Sequence, residues 1–391
     1  MTLSLLILWL VVVSVQLLFI LFIYSRTAFR PVTAPADVNH AEPGVAVPGT
    51  AVSDTAVSVI VCAWNELANL RELLPLLDAQ QYPAFEVLVI DDRSTDGTRE
   101  WLEAEAGRFR HVRFLRVDQD YDHITPKKYA VTIAMKKALH PIALLTDADC
   151  RPAGPYWLAG MVGQLDGPER AVVLGFSPYV RRPGLLNRLI RFETLFTAVQ
   201  YLSLALAGRP YMGVGRNLLY RRQLFFANKG FYSHLRVLGG DDDLFINEVA
   251  TARNTTVSLH PDTFAWSAPK ETWAAWRHQK RRHLHVGHYY KPVNKLLLGL
   301  LTGTHVLTWV LALVVAGLSP WLAPGPWLWG ALGLFGFRGL AFWAIVGRIS
   351  YRLGHTVRWY GMPVMDVVLA GYYGLMGTTT LLRRQRPLRW R

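Results

Sequence analysis

The sequence predicts an α/β domain with a mostly parallel sheet, joined to apolar segments that are long enough to cross a membrane. From residue 57 onward, short runs rich in β-branched residues alternate with stretches whose apolar residues recur at helical spacing. Strands that alternate with helices are typical of a parallel sheet with helices on both faces. Apolar stretches with few or no charges lie near both ends of the sequence, and they predict membrane helices on either side of this domain.

The first apolar segment, residues 3–23, contains no charged side chain and has the length of a membrane-spanning helix. A cleaved signal peptide is the alternative. Such a peptide begins with basic residues and ends in small ones, whereas this segment follows Met-Thr and is followed by Tyr24. We therefore expect a retained anchor over residues 1–25.

The region after the anchor is expected to lie in the cytoplasm. Arg26 and Arg30 follow the apolar segment, and positive charges mark the cytoplasmic side of a membrane helix. The two cysteines, Cys62 and Cys150, are too few for a disulfide framework and suit a reducing compartment. The sequence thus predicts an integral protein of a bacterial inner membrane or plasma membrane, with its α/β domain in the cytoplasm.

The formal net charge of +14 indicates an anionic partner. Nucleic acid is one alternative, but no DNA- or RNA-binding motif accompanies the charge. Many basic residues instead flank apolar segments, as in residues 383–386 and 389–391, where anionic lipid headgroups explain them. We expect a lipid bilayer, and no nucleic acid, as the partner.

The first part of the domain is predicted to contain four strands separated by helices. Residues 26–56 are rich in Pro, Ala, Val, Gly and Thr without periodicity, and we interpret them as a linker. The strands are expected at residues 57–63, 85–90, 111–117 and 142–146. The helices are expected along a leucine stripe at residues 67–77, from a capping segment at residues 94–96 through Trp101, and from Pro126.

Apolar segments recur in the second half of the chain. A helix over residues 185–206 contains three charged residues, and it either lies in the membrane interface or packs on the domain. Residues 296–318, 327–346 and 361–382 are candidates for crossing the membrane, although Arg338 and Asp366 interrupt the last two. If all three cross, the Arg-rich C-terminal residues lie outside, against the positive-inside tendency. The alternative is that one of them is interfacial or re-entrant.

Polar clusters follow three of the predicted strands, at Asn65-Glu66, Asp91-Asp92 and Asp147-Ala148-Asp149. Ligands of a parallel sheet bind beyond the carboxyl ends of its strands. In the D-x-D spacing of the third cluster, both carboxylates lie on one side of an extended chain and can hold Mg²⁺ or Mn²⁺ together with substrate phosphates. The alternatives are a solvated turn for the D-x-D pair and helix capping for Asn65.

Two further clusters lie in the second half of the domain. The run Asp241-Asp242-Asp243 follows two glycines, and it either stabilises a helix N-terminus or provides a general base. The segment Gln279-Lys280-Arg281-Arg282-His283 either binds a diphosphate or forms a basic membrane surface. The histidines of residues 278–288 do not predict zinc, because no cysteine joins them and their spacing fits no familiar zinc site.

Three motifs in this order resemble those of the family 2 glycosyltransferases. They are Val-Ser-Val-Ile-Val-Cys-Ala-Trp-Asn-Glu from Val57, Val-Leu-Val-Ile-Asp-Asp-Arg-Ser-Thr-Asp-Gly-Thr from Val87, and Leu-Leu-Thr-Asp-Ala-Asp-Cys-Arg-Pro from Leu144. The resemblance extends over residues 57–290. It implies a GT-A fold with a Rossmann-like mixed sheet, a nucleoside-diphosphate-sugar donor, a divalent cation (Mg²⁺ or Mn²⁺) and inversion at the anomeric carbon.

The resemblance also implies the residues that contact the nucleotide. Ala63, Asn65 and Glu66 match the family's first nucleotide-contacting segment. Asp91 or Asp92 matches the acidic residue that binds the base.

The same resemblance implies the residues around the diphosphate. Lys127, or Lys128 beside it, matches the lysine ahead of the next helix. Asp147 and Asp149 match the motif that holds the metal and the diphosphate.

On the acceptor side, Gly213-Val-Gly-Arg-Asn217 is similar to the segment that lines the acceptor, and Asn217 is its candidate residue. The run of three aspartates matches the family's Glu-Asp pair, which holds the catalytic base. Alignment on the following leucine favours Asp241 as the base, whereas an acidic residue before the base favours Asp242. Asp243 is the third candidate.

The basic segment resembles the Gln-x-x-Arg-Trp motif of membrane-integrated members. Gln279, Arg281, Arg282 and His283 are accordingly candidates for contacting the diphosphate or the acceptor. His283 replaces the tryptophan of the motif, and this departure argues against processive polysaccharide synthesis.

The resemblance and the membrane segments together predict a glycosyltransferase that acts on a lipid or glycan acceptor at the cytoplasmic membrane face. The membrane layout resembles that of ceramide glucosyltransferases. A processive polysaccharide synthase is the alternative enzyme, and a non-catalytic membrane protein that keeps the fold for binding or assembly is the alternative of another class. The domain is expected to comprise a nucleotide-binding half (57–152) and an acceptor and catalytic half (153–290), followed by a membrane region (291–391) with two or three helices.

Overall fold

The structure is a computed structural model that describes residues 2–32, 55–119, 122–318, 325–354 and 357–382. The described residues form two compact units. One comprises residues up to Arg30 together with those from Tyr290 onward, and the other comprises residues 31–289. Most of the predicted linker and the basic C-terminal residues 383–391 lie outside the described residues.

The helices are numbered in chain order. They are α1 (Thr2–Leu18), α2 (Ser25–Phe29), α3 (Leu67–Asp78), α4 (Thr98–Glu105), α5 (Pro126–Lys137), α6 (Trp157–Val162), α7 (Leu185–Leu206), α8 (Arg222–Ala227), α9 (Asp243–Val249), α10 (Trp273–Gly287), α11 (Pro292–Leu318), α12 (Pro326–Arg352) and α13 (Met362–Leu382). A π-helical segment, Phe19–Tyr24, connects α1 to α2, so that helical structure continues four residues beyond the predicted anchor.

The strands form a seven-stranded mixed sheet in the order β3-β2-β1-β4-β7-β6-β8 and a two-stranded sheet of β5 and β9. Their bounds are β1 (Val57–Ala63), β2 (Phe85–Asp92), β3 (Val112–Val117), β4 (Ile142–Asp147), β5 (Cys150–Pro152), β6 (Val172–Leu174), β7 (Leu218–Arg221), β8 (Thr255–Val257) and β9 (Ala265–Ser267). Strands β1 to β4 pair in parallel, and β7 pairs antiparallel with both β4 and β6. The predicted α/β fold class is therefore confirmed.

The register of the central strands places the polar clusters at one edge of the sheet. Ala63 lies opposite Asp91, and Cys62 lies opposite Asp147, because β1 pairs in parallel with both β2 and β4. The strands are almost entirely buried, as expected for a parallel sheet that has helices on both faces. Side chains that follow the strands thus converge, although they are far apart in the sequence.

Helix α7 packs within the domain. Most of its residues are buried, and the hydroxyl of Tyr201 donates a 2.7 Å hydrogen bond to the carbonyl of Gly175. Glu193, which is 5% exposed, pairs with Lys280 of α10. Of the two interpretations of residues 185–206, packing on the domain is the one that the structure supports.

The other unit is a bundle of long apolar helices. Four described helical segments are long and apolar enough to cross a membrane: Leu3–Phe29, α7, α11 and α12. Three of these belong to the bundle, where Trp9 of α1 donates a 3.1 Å hydrogen bond to the carbonyl of Thr308 in α11. The chain therefore has the helices of a membrane-associated protein.

The two charges that interrupt the C-terminal segments form an ion pair with each other. Arg338 of α12 and Asp366 of α13 are both 0% exposed, and the guanidinium donates to the carboxylate. A buried charge is costly in an apolar medium unless it is paired and hydrogen-bonded. This pairing explains how α12 and α13 can both carry a charge inside the bundle.

Candidate active site

Lys127 joins two acidic clusters that are far apart in the sequence. It lies in the first turn of α5, with its Nζ 2.8 Å from Asp147 Oδ1 at the end of β4 and 3.3 Å from Asp241 Oδ2 before α9. Burial alone would lower the pKa of Lys127, but the charges of Asp147, Asp241 and Asp242 outweigh burial and raise this pKa well above its usual value. The lysine therefore stays protonated between the carboxylates. We call Lys127, Asp147, Asp149, Asp241 and Asp242 the Lys127 cluster.

Asp242 is held by the backbone on both sides. Its Oδ2 accepts a 2.7 Å hydrogen bond from the amide of Gly215, and its Oδ1 accepts one of 2.7 Å from the amide of Asp243, which begins α9. Burial and the neighbouring charge of Asp241 raise the pKa of Asp242 to about 6, despite the opposing charge of Lys127. An oriented carboxylate with a pKa near neutrality is suited to accept a proton from a substrate.

The D-x-D carboxylates experience opposite electrostatic environments. Burial raises the pKa of Asp147, but the charges of Lys127, Arg216 and Arg282 outweigh it and lower this pKa below the usual value. Burial and the adjacent charge of Asp147 raise the pKa of Asp149 instead. A divalent cation would relieve this repulsion between the two carboxylates.

The donor set fits a divalent cation that also needs phosphate oxygens. Asp147 and Asp149 offer carboxylate oxygens two positions apart in the chain, and the Asp147 side chain is 33% exposed. No group of three or more His, Cys, Asp or Glu side chains in the described residues is arranged to hold a metal ion. Mg²⁺ and Mn²⁺ are commonly held by one or two carboxylates plus substrate phosphates, so the two aspartates satisfy this requirement.

Cys62, at the end of β1, lies near carboxylates that come from three other parts of the chain. The pKa of its thiol is raised to about 12 by burial and by the charges of Asp241, Asp147 and Asp92, although Lys127 opposes them. These three carboxylates therefore lie near one thiol at the end of β1. Asp92 and Asp147 end β2 and β4, and Asp241 of the loop before α9 joins them in this region.

A second cationic group, Arg216, lies beside the D-x-D pair. It belongs to the short 3₁₀ turn Gly215–Asn217, and its guanidinium lies over the ring of Tyr179 at 4.4 Å from the ring centre. Burial would lower the pKa of Arg216, but Tyr179, Cys150, Asp149 and Asp147 raise it above its usual value. Its Nη1 is buried and makes no hydrogen bond within the described part of the chain.

The basic segment lies on α10 and contributes unequally to this region. Gln279 Nε2 donates a 3.3 Å hydrogen bond to the hydroxyl of Tyr179, and Arg282 lowers the pKa of Asp147. Desolvation and the charges of Lys280 and Arg282 hold the pKa of His283 well below its usual range, although solvent reaches this ring. Arg281 is exposed. Gln279 thus contacts Tyr179, whereas Arg282 lies close enough to Asp147 to lower its pKa.

The residues predicted to contact the nucleotide surround the ends of β1 and β2. Ala63 is buried, and Asn65 has a left-handed backbone (φ 57°) with its Oδ1 2.7 Å from the amide of Thr95. Asn65 therefore connects the loops after β1 and β2, rather than capping its own helix. Burial raises the pKa of Glu66, and the charges of Asp149 and Asp147 raise it further.

The two adjacent aspartates at the end of β2 are both buried. Asp91 Oδ1 accepts a 3.3 Å hydrogen bond from the amide of Ser94, and Asp92 Oδ1 lies 2.8 Å from Nε of Arg93. Asp91 shapes the loop after β2, whereas Asp92 carries a charged partner. Both therefore lie at the sheet edge where the base-binding residue was predicted.

Two predicted site residues form hydrogen bonds to other groups of the protein. Lys128 is fully buried, and its Nζ donates to the carbonyls of His234 (2.6 Å) and Val237 (2.7 Å). Asn217 is also fully buried, with its amide donating to two main-chain carbonyls and its Oδ1 accepting from Trp157 Nε1. These bonds leave no donor on the Asn217 amide for a substrate. Both side chains hold loops in place, whereas Lys127 and Arg216 beside them face the acidic groups.

Sequence reasoning missed Arg216 and Tyr179. Arg216 lies within the segment singled out for Asn217, but nothing in the sequence separates these two neighbours. Tyr179 lies in a loop without periodicity, and its isolated bridge to Ser267, the hydrogen bond from Gln279 and the ring contact with Arg216 identify it. No sequence signal in this chain would have found Tyr179.

Comparison with known proteins identifies a family and a fold. Residues 58–226 match the sequence model of Glycosyl transferase family 2. The glycosyltransferase AglE of Haloferax volcanii is 28% identical over 112 residues, a stretch that covers 28% of this chain and only 35% of that relative. A mannosyltransferase of Pyrobaculum calidifontis, solved with GDP-Man and Mn²⁺, is similar with a TM-score of 0.59 at 21% identity, covering 98% of this chain and 100% of the other. The predicted resemblance to family 2 is confirmed over residues 58–226, and the predicted GT-A fold is confirmed.

Proposed function

Because residues 58–226 match Glycosyl transferase family 2, we propose that the chain transfers a sugar, with inversion, from a nucleoside-diphosphate-sugar to a lipid or glycan acceptor at the cytoplasmic membrane face. One observation carries the proposal. Lys127 brings the D-x-D aspartate of β4 and the acidic loop before α9 within 3.3 Å of one cation. A base and a diphosphate site can then flank one sugar. The match to a glycosyltransferase family favours this enzyme over a non-catalytic protein that keeps the fold.

In the proposed reaction, Asp242 accepts the proton of the acceptor hydroxyl. The hydroxyl oxygen forms a bond to the anomeric carbon, the bond from that carbon to the diphosphate breaks, and the nucleoside diphosphate leaves with the electron pair. The two backbone amides that bind Asp242 orient it, and its raised pKa makes it a stronger base than an ordinary aspartate. Asp241 and Asp243 are the alternatives for this role.

Several cations of the chain oppose the charge of the leaving group. Arg282 and Lys127 lie near Asp147, where the diphosphate of the donor would be held. Asp147 and Asp149 would hold the divalent cation, which supplies positive charge to the diphosphate when it is bound. Charges that are already oriented stabilise a departing anion without reorganisation, and this is commonly a large contribution to rate.

The proposed membrane location rests on the apolar bundle and on the anchor. The helical segment Leu3–Phe29 precedes the domain, and α11 and α12 follow it. Such an enzyme meets a lipid-linked acceptor at the surface where the acceptor resides. His283 in place of tryptophan supports a single transfer over processive synthesis.

The test uses the purified full-length protein in detergent or nanodiscs, with a panel of GDP- and UDP-sugars and Mn²⁺ or Mg²⁺. GDP-mannose comes first in the panel because the Pyrobaculum structure contains it. Release of nucleoside diphosphate that depends on an added membrane-lipid extract is expected, and product length separates one transfer from chain growth. Asp149→Asn and Asp242→Asn are expected to reduce turnover at least ~10³-fold, the scale of losing a positioned catalytic group.

Asp262→Asn is the matched control, because Asp262 lies in the same unit with a 53% exposed side chain. It should turn over like wild type. Comparing Asp241→Asn and Asp243→Asn with Asp242→Asn identifies the base. The variant that lacks the base should have the lowest turnover of the three. Wild-type turnover in both Asp149→Asn and Asp242→Asn would refute the mechanism.

A further inference from the structure

We infer that Arg216 binds the diphosphate of the donor, and that Gln279 positions Arg216 through the ring of Tyr179. The inference rests on the proposed function and names a residue pair that the D-x-D and base motifs do not include. Arg216 would touch the donor. Gln279 would not touch the donor; it would act through Tyr179 as a positioning residue for Arg216.

The guanidinium of Arg216 has a buried donor with no acceptor. Its Nη1 is shielded from solvent and forms no hydrogen bond to any described residue. Buried donors in folded proteins nearly always have partners, so an orphaned one beside a ligand site indicates a group that the ligand completes. The chemistry of the missing partner is that of an oxygen acceptor, and an arginine fork prefers carboxylate or phosphate.

The charges around Arg216 indicate phosphate rather than carboxylate. Asp147 and Asp149 are near enough to affect Arg216, yet neither forms an ion pair with it among the described residues. A carboxylate ligand would leave three acids around one arginine. A diphosphate would instead lie between the Arg216 guanidinium and a divalent cation on the D-x-D pair. Each positive charge would then have a negative neighbour, which is the favourable arrangement.

Tyr179 holds Arg216 in a defined orientation. The guanidinium lies 4.4 Å from the centre of the Tyr179 ring, and this ring is only 8% exposed. Stacking of arginine on an aromatic ring is attractive and restricts a side chain that otherwise has many rotamers. Gln279 of α10 donates to the Tyr179 hydroxyl at 3.3 Å, so α10 determines the position of the ring. This contact gives Gln279 a role that does not require it to touch the donor.

The test measures binding, so it does not depend on knowing the acceptor. Full-length wild type and Arg216→Gln are titrated with GDP and UDP in the presence of Mn²⁺, with GMP and UMP, and with Mn²⁺ alone. Loss of a charge-assisted contact predicts that Arg216→Gln weakens nucleoside-diphosphate binding by ~10-fold or more. Monophosphate binding should change by less than about 2-fold, because the inferred contact includes the distal phosphate.

The Mn²⁺ titration distinguishes Arg216 from the metal ligands. Removing a positive charge beside Asp147 and Asp149 should leave Mn²⁺ affinity unchanged or tighter, whereas Asp149→Asn should lose it. Arg253→Gln, at an exposed arginine of the same unit, is the matched control and should bind all ligands like wild type. If Arg216→Gln does not fold, Arg216→Lys replaces it, and an intermediate loss of diphosphate affinity is then expected.

The positioning role has its own readout. Tyr179→Phe and Gln279→Met each delete the same hydrogen bond, so each should weaken diphosphate binding about 3-fold and the double variant should be no worse than either alone. Tyr179→Leu removes the ring and should match Arg216→Gln. Tyr232→Phe, at a 75% exposed tyrosine, is the control and should have no effect.

The outcomes separate the two proposals. Failure of wild type to bind any nucleoside diphosphate with Mn²⁺ would refute the proposed function. Wild-type diphosphate affinity in Arg216→Gln or Arg216→Lys, with normal binding by wild type, would overturn only the role of Arg216. If the double variant lost diphosphate affinity by the product of the losses of Tyr179→Phe and Gln279→Met, the positioning role of Gln279 would be overturned.

Discussion

The molecule contains two groups of charged side chains that are wholly or partly buried, and they differ in how completely their polar atoms are hydrogen-bonded. In the helix bundle, Arg338 donates to Asp366 and also to Gln16, with its Nε 3.1 Å and its Nη2 2.6 Å from Gln16 Oε1. Asp366 accepts in addition from two tryptophans, Trp309 at 3.2 Å and Trp343 at 3.1 Å. In the Lys127 cluster, by contrast, the buried Asp241 Oδ2 has an ion pair but no hydrogen bond within the described residues.

The difference separates a structural cluster from a ligand site. A buried polar network that satisfies all of its members rigidifies a fold, and it has no capacity left for a ligand. Unsatisfied buried groups are costly, and a fold retains them where a ligand completes them. Arg338 and Asp366 therefore specify how the helices pack, whereas we propose that the Lys127 cluster and Arg216 bind substrate. Three predictions can break or sharpen this contrast.

The largest effect on stability is expected from breaking the ion pair of the bundle. Arg338→Met leaves Asp366 as a buried, uncompensated charge, which should lower the free energy of unfolding by about 3–5 kcal/mol. Titration of the full-length protein with SDS, followed by circular dichroism of helix content, measures the change. Diphosphate affinity below the transition should stay at the wild-type value.

The double variant Arg338→Met with Asp366→Asn is the control for this prediction. It removes both charges and retains one amide oxygen that can accept from one of the two tryptophans, which donate to different oxygens of Asp366, so it should recover part of the lost stability. A double variant that is less stable than Arg338→Met alone would contradict a structural ion pair. Reduced diphosphate affinity in Arg338→Met would contradict the distinction between a structural ion pair in the bundle and a separate ligand site.

A smaller loss of stability is expected at Asn217, within the catalytic unit. Asn217→Ala removes hydrogen bonds to Phe176 and Thr263 and leaves Trp157 Nε1 without its acceptor, which should cost about 1–3 kcal/mol. Thermal unfolding measures the loss, and diphosphate affinity at low temperature should be normal. Weakened binding in a fully folded Asn217→Ala protein would restore the predicted acceptor role of this residue.

The smallest effect concerns pH. The pKa of Asp242 is about 6, so the ionised fraction of this base falls roughly ten-fold between pH 7 and pH 5, and turnover should fall with it. Because its pKa is raised above the usual value of an aspartate, protonation of Asp242 between pH 6 and pH 4 favours the folded state rather than opposing it. Turnover should therefore fall in this window without a loss of stability attributable to this group.

Diphosphate binding measured over the same pH range is the control, since Asp149 also has a raised pKa. A fall in turnover that follows only the fall in binding would assign the pH dependence to the donor site. A flat pH profile between pH 5 and pH 7 would exclude Asp242 as the base.

The repeating parts of the fold could be predicted from the chain alone. The leucines of α3 and the β-rich run of β1 recur with the periods of a helix and a strand, and β1 and α7 begin and end at the predicted residues. The convergence of the acidic residues was also predictable, because the carboxyl ends of parallel strands meet at one edge. Side chains in irregular segments were not predictable in this way, since no period determines their direction.

The sequence by itself determined the resemblance to family 2, the α/β sheet and the acidic positions, because these depend on local periodicity and on ordered motifs. Only the tertiary structure decided which of two residues adjacent in the sequence faces the site. Successive residues of a helix point about 100° apart, so Lys127 reaches the carboxylates while Lys128 faces backbone carbonyls. Tertiary contacts likewise separate Arg216 from Asn217 and pair Arg338 with Asp366, since burial and charge neutralisation depend on which distant groups the fold brings together.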